Sequence, residues 1–134
     1  MLSAAPWIFV LASAQASPVG TTLDTGGGLV TVDGVEFSDR FPPKCATPGR
    51  NCSEAKPGYR IFVIWLRAKG DDSKLSQVLM NLESATVAAD NGNKTKNFSG
   101  GMAEGRYFVA FTPPVADKNF TLNWGKNAAL ALGK

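Results

Sequence analysis

The chain of 134 residues predicts an all-β domain, an antiparallel sandwich of short strands. Three observations carry that expectation. Short β-prone runs recur along the chain with turn residues between them. One run, residues 59–67, is apolar on both of its strand faces. The last third reads as strand, proline-rich corner, strand.

Taken from the N-terminus, the first charged residue is Asp24. Residues 6–12 form an apolar run that contains Trp7 and Phe9, and residues 12–17 supply small residues around an A-x-A signal at Ala14 and Ala16. The segment 1–16 therefore predicts an export leader cleaved before Ser17. If it is retained, it is an apolar arm for contact with membrane or protein, and Trp7 and Phe9 are its candidate contact residues. The apolar stretch is short for a transmembrane helix, which needs about 20 residues. Residues 17–28, ending in Gly26-Gly27-Gly28, lack periodicity and predict a flexible linker. The sandwich itself is expected over 29–134.

Residues 29–37 hold two β-prone runs around Asp33-Gly34, a hairpin signal. Residues 39–58, rich in proline and glycine, predict an ordered surface loop. Inside it, Cys45 and Cys52 flank Pro48-Gly49, a turn apex that brings the loop ends together. An even cysteine count with an export signal points to a disulfide; two thiols in the core are the alternative. In residues 59–67, Tyr59, Ile61, Val63 and Trp65 share one face, and Phe62, Ile64 and Leu66 the other. Such a strand sits centrally in a sheet and is covered on both sides. The stretch 69–73 predicts a turn, and Leu75, Val78, Leu79 and Leu82 fit either a short helix or an irregular strand. Thr86 to Ala89 run into Asp90-Asn91-Gly92-Asn93, an Asn-Gly hairpin turn. Residues 106–111 and 119–124 are strands around Thr112-Pro113-Pro114, and 128–132 an edge strand. Ile61, Val63, Trp65, Phe108, Phe111, Leu122 and Trp124 are the expected core.

The composition bears on chemistry as well. Histidine is absent, so no histidine general base, Ser–His or Cys–His nucleophile or histidine-rich zinc site can be assembled. A net charge of +3, with 14 basic and 11 acidic residues intermixed, lacks the dense basic face of a nucleic-acid binder. Asp90, Asn91 and Asn93 place oxygens at close spacing, yet the later bidentate Glu of a calcium loop is missing. No cofactor is expected. Asn51, Asn93, Asn97 and Asn119 each open an N-x-S/T triplet, read here as chance in an Asn-rich chain.

Taken together, Val32-Asp33-Gly34-Val35-Glu36-Phe37, the run 60–66, the Asp90-Asn91-Gly92 turn and the closing Phe111-Thr112-Pro113 through Trp124 resemble the telokin-like, immunoglobulin-like domains of exported bacterial lipoproteins and cell-envelope proteins. The resemblance implies an immunoglobulin-like sandwich and carries no catalytic residues across. This chain lacks the lipobox of a lipoprotein.

These readings lead to a non-catalytic, exported interaction or structural module, periplasmic or at the cell surface, serving as an accessory subunit of a membrane-associated envelope complex. A protein partner is expected, with membrane contact through residues 1–16 and no nucleic acid. The candidate contact residues are Arg40, Lys44, Arg50 and Lys56 on the cysteine loop, plus Trp7 and Phe9, since loops on a rigid scaffold concentrate binding groups. The alternative is a small-ligand carrier or a secreted enzyme inhibitor.

Overall fold

The computed structural model describes residues 18–25, 28–43, 45, 49, 52–69, 84–103, 106–125 and 127–133. The expectations placed on residues 1–17, on the stretch 70–83, and on Lys44 and Arg50 lie outside them.

The described residues form strands and no helix: β1 (Thr22–Asp24), β2 (Leu29–Ser38), β3 (Arg40–Phe41), β4 (Ser53–Glu54), β5 (Ile61–Lys69), β6 (Thr86–Ala88), β7 (Lys94–Ala103), β8 (Arg106–Phe111), β9 (Phe120–Asn123) and β10 (Leu130–Gly133). Every pairing is antiparallel, and the order is β1-β2-β5-β8-β7-β6-β9-β10, with β3 and β4 paired separately. The long β7 serves two layers. Its first residues pair with β6 and residues from Asn97 onward pair with β8, the change coming where Phe98 is an extra residue between Asn97 and Ser99. A bulge of this kind bends a strand and lets it turn a corner between sheets. One layer is thus β1-β2-β5-β8-β7 and the other β7-β6-β9-β10.

The main core lies between the layers. Leu23, Val30, Val32, Phe62, Ile64, Leu66, Val109 and Phe111 come from the first layer; Val87, Phe120, Leu122, Trp124 and Leu132 come from the second. Phe62 stacks on Phe37 at 4.7 Å and on Phe120 at 5.0 Å between ring centroids, which ties the layers together. The seven expected core residues are all buried, and the expected C-terminal edge strand is β10. Central placement of β5 between β2 and β8 accounts for its two apolar faces. Phe62, Ile64 and Leu66 enter the inter-layer core, whereas Ile61, Val63 and Trp65 join Phe41, Phe108 and Ala110 in a second cluster on the outer face.

Two expectations are corrected. Asp33-Gly34 is no hairpin: β2 runs unbroken from Leu29 to Ser38, and Asp33 is a bulge residue between Val32, opposite Leu66, and Gly34, opposite Trp65. The extra residue keeps Val30, Val32, Val35 and Phe37 all on the core side. The Asp33 carboxylate also gains Arg67 at 2.9 Å and Arg106 at 3.4 Å, which a solvent-exposed turn would not offer. The stretch 17–28 is likewise not all linker. Its Thr22–Asp24 form β1, paired with β2 from Leu29 to Thr31, because Leu23 gains a core site at 4% exposure. A turn over 18–21, with Gly20 at φ 94°, leads into it, and Thr25 Oγ1 donates to the Gly28 carbonyl at 2.8 Å to close the β1–β2 connection.

The Asn-Gly hairpin is present. Gly92 at φ 92° donates to the Ala89 carbonyl at 3.0 Å between β6 and β7. At the same end of the molecule Asp117, 2% exposed, follows the proline corner. Its carboxylate accepts from Asn91 Nδ2 at 2.8 Å and Asn93 Nδ2 at 3.3 Å, and its carbonyl accepts from Arg60 Nη2 at 2.8 Å. The corner, the hairpin of the second layer and the start of β5 in the first are joined there.

Candidate functional site: the stapled loop and its groove

The outer face of the first layer would present Ile61, Val63, Trp65, Phe108 and Ala110 to water if nothing lay over it. Phe41 of β3 and Ala55, just after β4, lie over it. Phe41 places its ring 4.5 Å from Phe108 and 6.4 Å from Trp65, between centroids, and Ala55 packs on the same cluster. The backbone holds this cover down where Ala55 N–H donates to the Asp39 carbonyl at 2.9 Å.

Cys45 and Cys52 are disulfide-bonded, as expected, with Cα atoms 5.8 Å apart. Gly49 and Cys52 bridge through a 2.8 Å hydrogen bond that narrows the loop further. Arg40, expected as a contact residue, is turned into the loop's own bonding. Its Nη1 donates to the Cys45 carbonyl at 3.0 Å, and its Nε lies 3.9 Å from Glu54. Arg60 is elsewhere: its guanidinium lies 3.5 Å above the Phe37 ring and donates to the Asp117 carbonyl. The basic residues of this stretch therefore do not make one patch among the described residues. Lys56 alone of the loop's described candidates reaches the surface as expected, with no ion pair among those residues.

Where the cover ends, a groove of about 420 Å³ opens, lined by Ser53, Glu54, Ala55, Lys56, Tyr59, Ile61, Phe98 and Thr112. Tyr59 is 47% exposed and Phe98 44% exposed. Phe98 is the bulged residue of β7, and its ring meets Phe41 edge-on at 6.4 Å. Sequence reasoning missed it. The one available signal was a lone aromatic in a polar run, Lys94-Thr95-Lys96-Asn97-Phe98-Ser99. Tyr59 keeps the face expected of it but sits at the rim.

Farther along the same face, Trp65 donates from Nε1 to Glu36 at 3.0 Å, and Arg106 lies over its ring at 4.0 Å. This network satisfies itself. The Asp90–Asn93 oxygens are spent on turn geometry: Asn91 Oδ1 accepts from Asn93 N–H at 2.9 Å. Among the N-x-S/T asparagines, Asn93, Asn97 and Asn119 commit their amide nitrogens to Asp117, the Ala85 carbonyl and Asp90. Among the described residues no three His, Cys, Asp or Glu side chains stand together as metal ligands, and no helix is long and apolar enough to cross a membrane.

No family model matches the chain, and no curated protein matches it in sequence. In structure the chain is similar to an uncharacterized β-sandwich protein from Clostridium difficile, at a TM-score of 0.51 and 12% identity, over 92% of this chain and 97% of that one. The fold is a β-sandwich. At that identity the likeness speaks for architecture alone.

Proposed function

We propose that this chain is a non-catalytic, exported binding module that engages a protein partner of the cell envelope through the groove beside its stapled loop. The observation that carries this reading is the pair of exposed aromatic rings, Tyr59 and Phe98, at a groove on an otherwise covered face. Aromatic side chains on a rigid scaffold give contact area at small entropic cost, and they anchor interfaces where they line a pocket. Lys56 at the rim suits an acidic group on the partner. The disulfide accords with an oxidising compartment, and the leader-like segment 1–16 supports export, with membrane contact if the segment is retained. The telokin-like, immunoglobulin-like resemblance supports the same setting. Neither a cofactor nor nucleic acid has a part in this reading.

The test is co-purification from a native envelope fraction with the wild-type chain and with the double variant Tyr59→Ser, Phe98→Ser. Both side chains are half exposed, so the variant is expected to keep the fold while losing the partner. Recovery of the same partner at unchanged yield overturns the assignment. A second reading, a small-ligand carrier, is favoured by the volume of the groove, which falls within the range of roughly 300–1,000 Å³ usual for ligand sites. Native mass spectrometry of the purified chain separates the two.

A further inference from the structure

Among the described residues, the two long borders of the first layer, β2 and β7, both leave backbone hydrogen-bonding groups without a partner. The phase of β2 is set by Val32, whose N–H donates to Thr21 and whose carbonyl accepts from Gly20, each at 2.8 Å, on the β1 side. Leu66, opposite Val32, therefore turns its own groups to β8, and alternation turns those of Ile64 and Phe62 the same way. Arg60, in the same phase, does donate to Pro113 on that side at 3.1 Å. Val35 and Phe37, opposite Ile64 and Phe62, thus point theirs away from β5. β1 pairs no farther along β2 than Thr31, and the chain turns off at 18–21. The same phase followed across β8 leaves Gly100 and Met102, opposite Val109 and Tyr107, pointing theirs away from β8. No hydrogen bond among the described residues takes up these groups.

Edges of this kind are normally blunted by shortness, proline, charge or a bulge. The outer strands are so treated. β1 has three residues behind Pro18, and β10 has four with an irregularity between Ala131 and Gly133. The open stretches themselves, 35–37 of β2 and 100–102 of β7, have no proline, lysine or bulge, the bulges at Asp33 and Phe98 lying before them, and Glu36 is their one charge.

We propose that copies of this chain associate edge to edge, β2 of one adding to β7 of the next to continue the sheet. Strands β2, β5, β8 and β7 alternate in direction, so β2 and β7 run opposite ways. A second copy set alongside in the same orientation therefore brings its β7 antiparallel to β2. One register matches all the open groups: Val35 opposite Met102 of the next copy, and Phe37 opposite its Gly100. Each such pair exchanges two N–H···O bonds, so the junction gains four. The side chains agree with this register. Met102, 52% exposed on the face it shares with Tyr107, meets Val35, which packs on the core from that same face. Phe37 stands across from a glycine, an arrangement in which an aromatic side chain covers the bare strand edge. Glu36 faces Gly101 and meets no like charge. The symmetric alternative, β2 on β2, uses Val35 and Phe37 equally well but sets Glu36 directly opposite Glu36, which is destabilising. A head-to-tail junction adds copies into a ring or an open filament.

The experiment uses the full oxidised chain and two variants, Val35→Pro and Met102→Pro. Each proline removes an outward N–H at an edge, where proline is tolerated. Sedimentation is expected to show concentration-dependent assembly of the wild type and monomers for each variant alone. An equimolar mixture of the two, keeping one open edge of each kind, is expected to stop at one-to-one dimers. Dimers of Met102→Pro alone indicate β2 on β2, dimers of Val35→Pro alone indicate β7 on β7, and either overturns the proposal. Should a variant not fold, amide exchange on the wild type decides: the amides of Val35, Phe37, Gly100 and Met102 are expected to slow by about tenfold or more as concentration rises. Exchange at these positions that is unchanged up to millimolar protein overturns it.

Discussion

Removing the Asp117 carboxylate tests the account of how the two layers are held together at the end of the sandwich that carries the hairpin turn. Asp117 is 2% exposed, and its side chain accepts from Asn91 and Asn93, both of the β6–β7 hairpin. Asp117→Ala removes one short charge-assisted bond at 2.8 Å and a longer one at 3.3 Å. Bonds to charged groups are worth about 1.5–3 kcal/mol each. The longer contact lies at the weak end, and the two exposed asparagines can turn to water, so the net loss is expected at about 2–3 kcal/mol. For a chain of 134 residues each kcal/mol moves Tm by about 3–4 °C, so the midpoint should fall by about 10 °C. Thermal and guanidinium melts of the oxidised protein measure this. A cycle with Asn91→Ala should show coupling of about 1–2 kcal/mol, because the two side chains share the short bond. A loss below about 0.5 kcal/mol for Asp117→Ala, or strictly additive variants, refutes the reasoning: the carboxylate would then be equally well served by water.

Three further outcomes are expected. Replacing Cys45 and Cys52 together by Ser should cost about 2–3 kcal/mol on the chain-entropy estimate for a loop spanning seven positions, read from denaturant midpoints. Asn119 stands at φ 57° and donates to Asp90 at 2.7 Å, so Asn119→Ala should be less stable than Asn119→Gly by about 1 kcal/mol; equal melting of the two would contradict a left-handed backbone there. Deleting Asp33 removes the bulge and leaves Val30, Val32, Val35 and Phe37 in plain alternation on the core face, so near-UV circular dichroism and a cooperative melt should both be kept; losing them would contradict the bulge assignment.

How much of this was legible in the sequence differs by element. The run 59–67 declared itself, because seven apolar residues on both strand faces have only one comfortable place, the middle of a covered sheet. The cysteine pair was equally plain from its spacing and the Pro48-Gly49 apex. Asp33-Gly34 was misread because Asp-Gly is a local turn signal, whereas the deciding quantity is the phase of the apolar residues on either side. Val30 and Val32 are in step with each other, Val35 and Phe37 are in step with each other, and one extra residue between the pairs is what a bulge supplies. β1 has only Leu23 as an apolar marker, too little for periodicity to register. Phe98 escaped for the same reason as Asp33: a bulge breaks alternation at the residue it exposes. The role of Arg40 could not be read at all, since its acceptor is a backbone carbonyl brought close by loop closure.

That role of Arg40 changes how binding defects on this loop should be interpreted. Phe41 of β3 and Ala55 after β4 pack on the outer cluster of Ile61, Val63, Trp65, Phe108 and Ala110, and Arg40, beside Phe41, is fastened to the Cys45 carbonyl. A charge removed at Arg40 therefore loosens the cover before it alters any contact surface, and leaves the Cys45 carbonyl short of a donor at a cost of about 1–3 kcal/mol. Lys56 has no such duty among the described residues; Lys56→Ser should melt within about 0.5 kcal/mol of the wild type. If partner binding runs through the groove, Lys56→Ser should weaken it at unchanged stability, whereas Arg40→Ser should weaken binding and stability together, and by proportionate amounts. Should Arg40→Ser lose the partner while melting like the wild type, the arginine is itself a contact residue, and its bond to Cys45 is incidental to the fold.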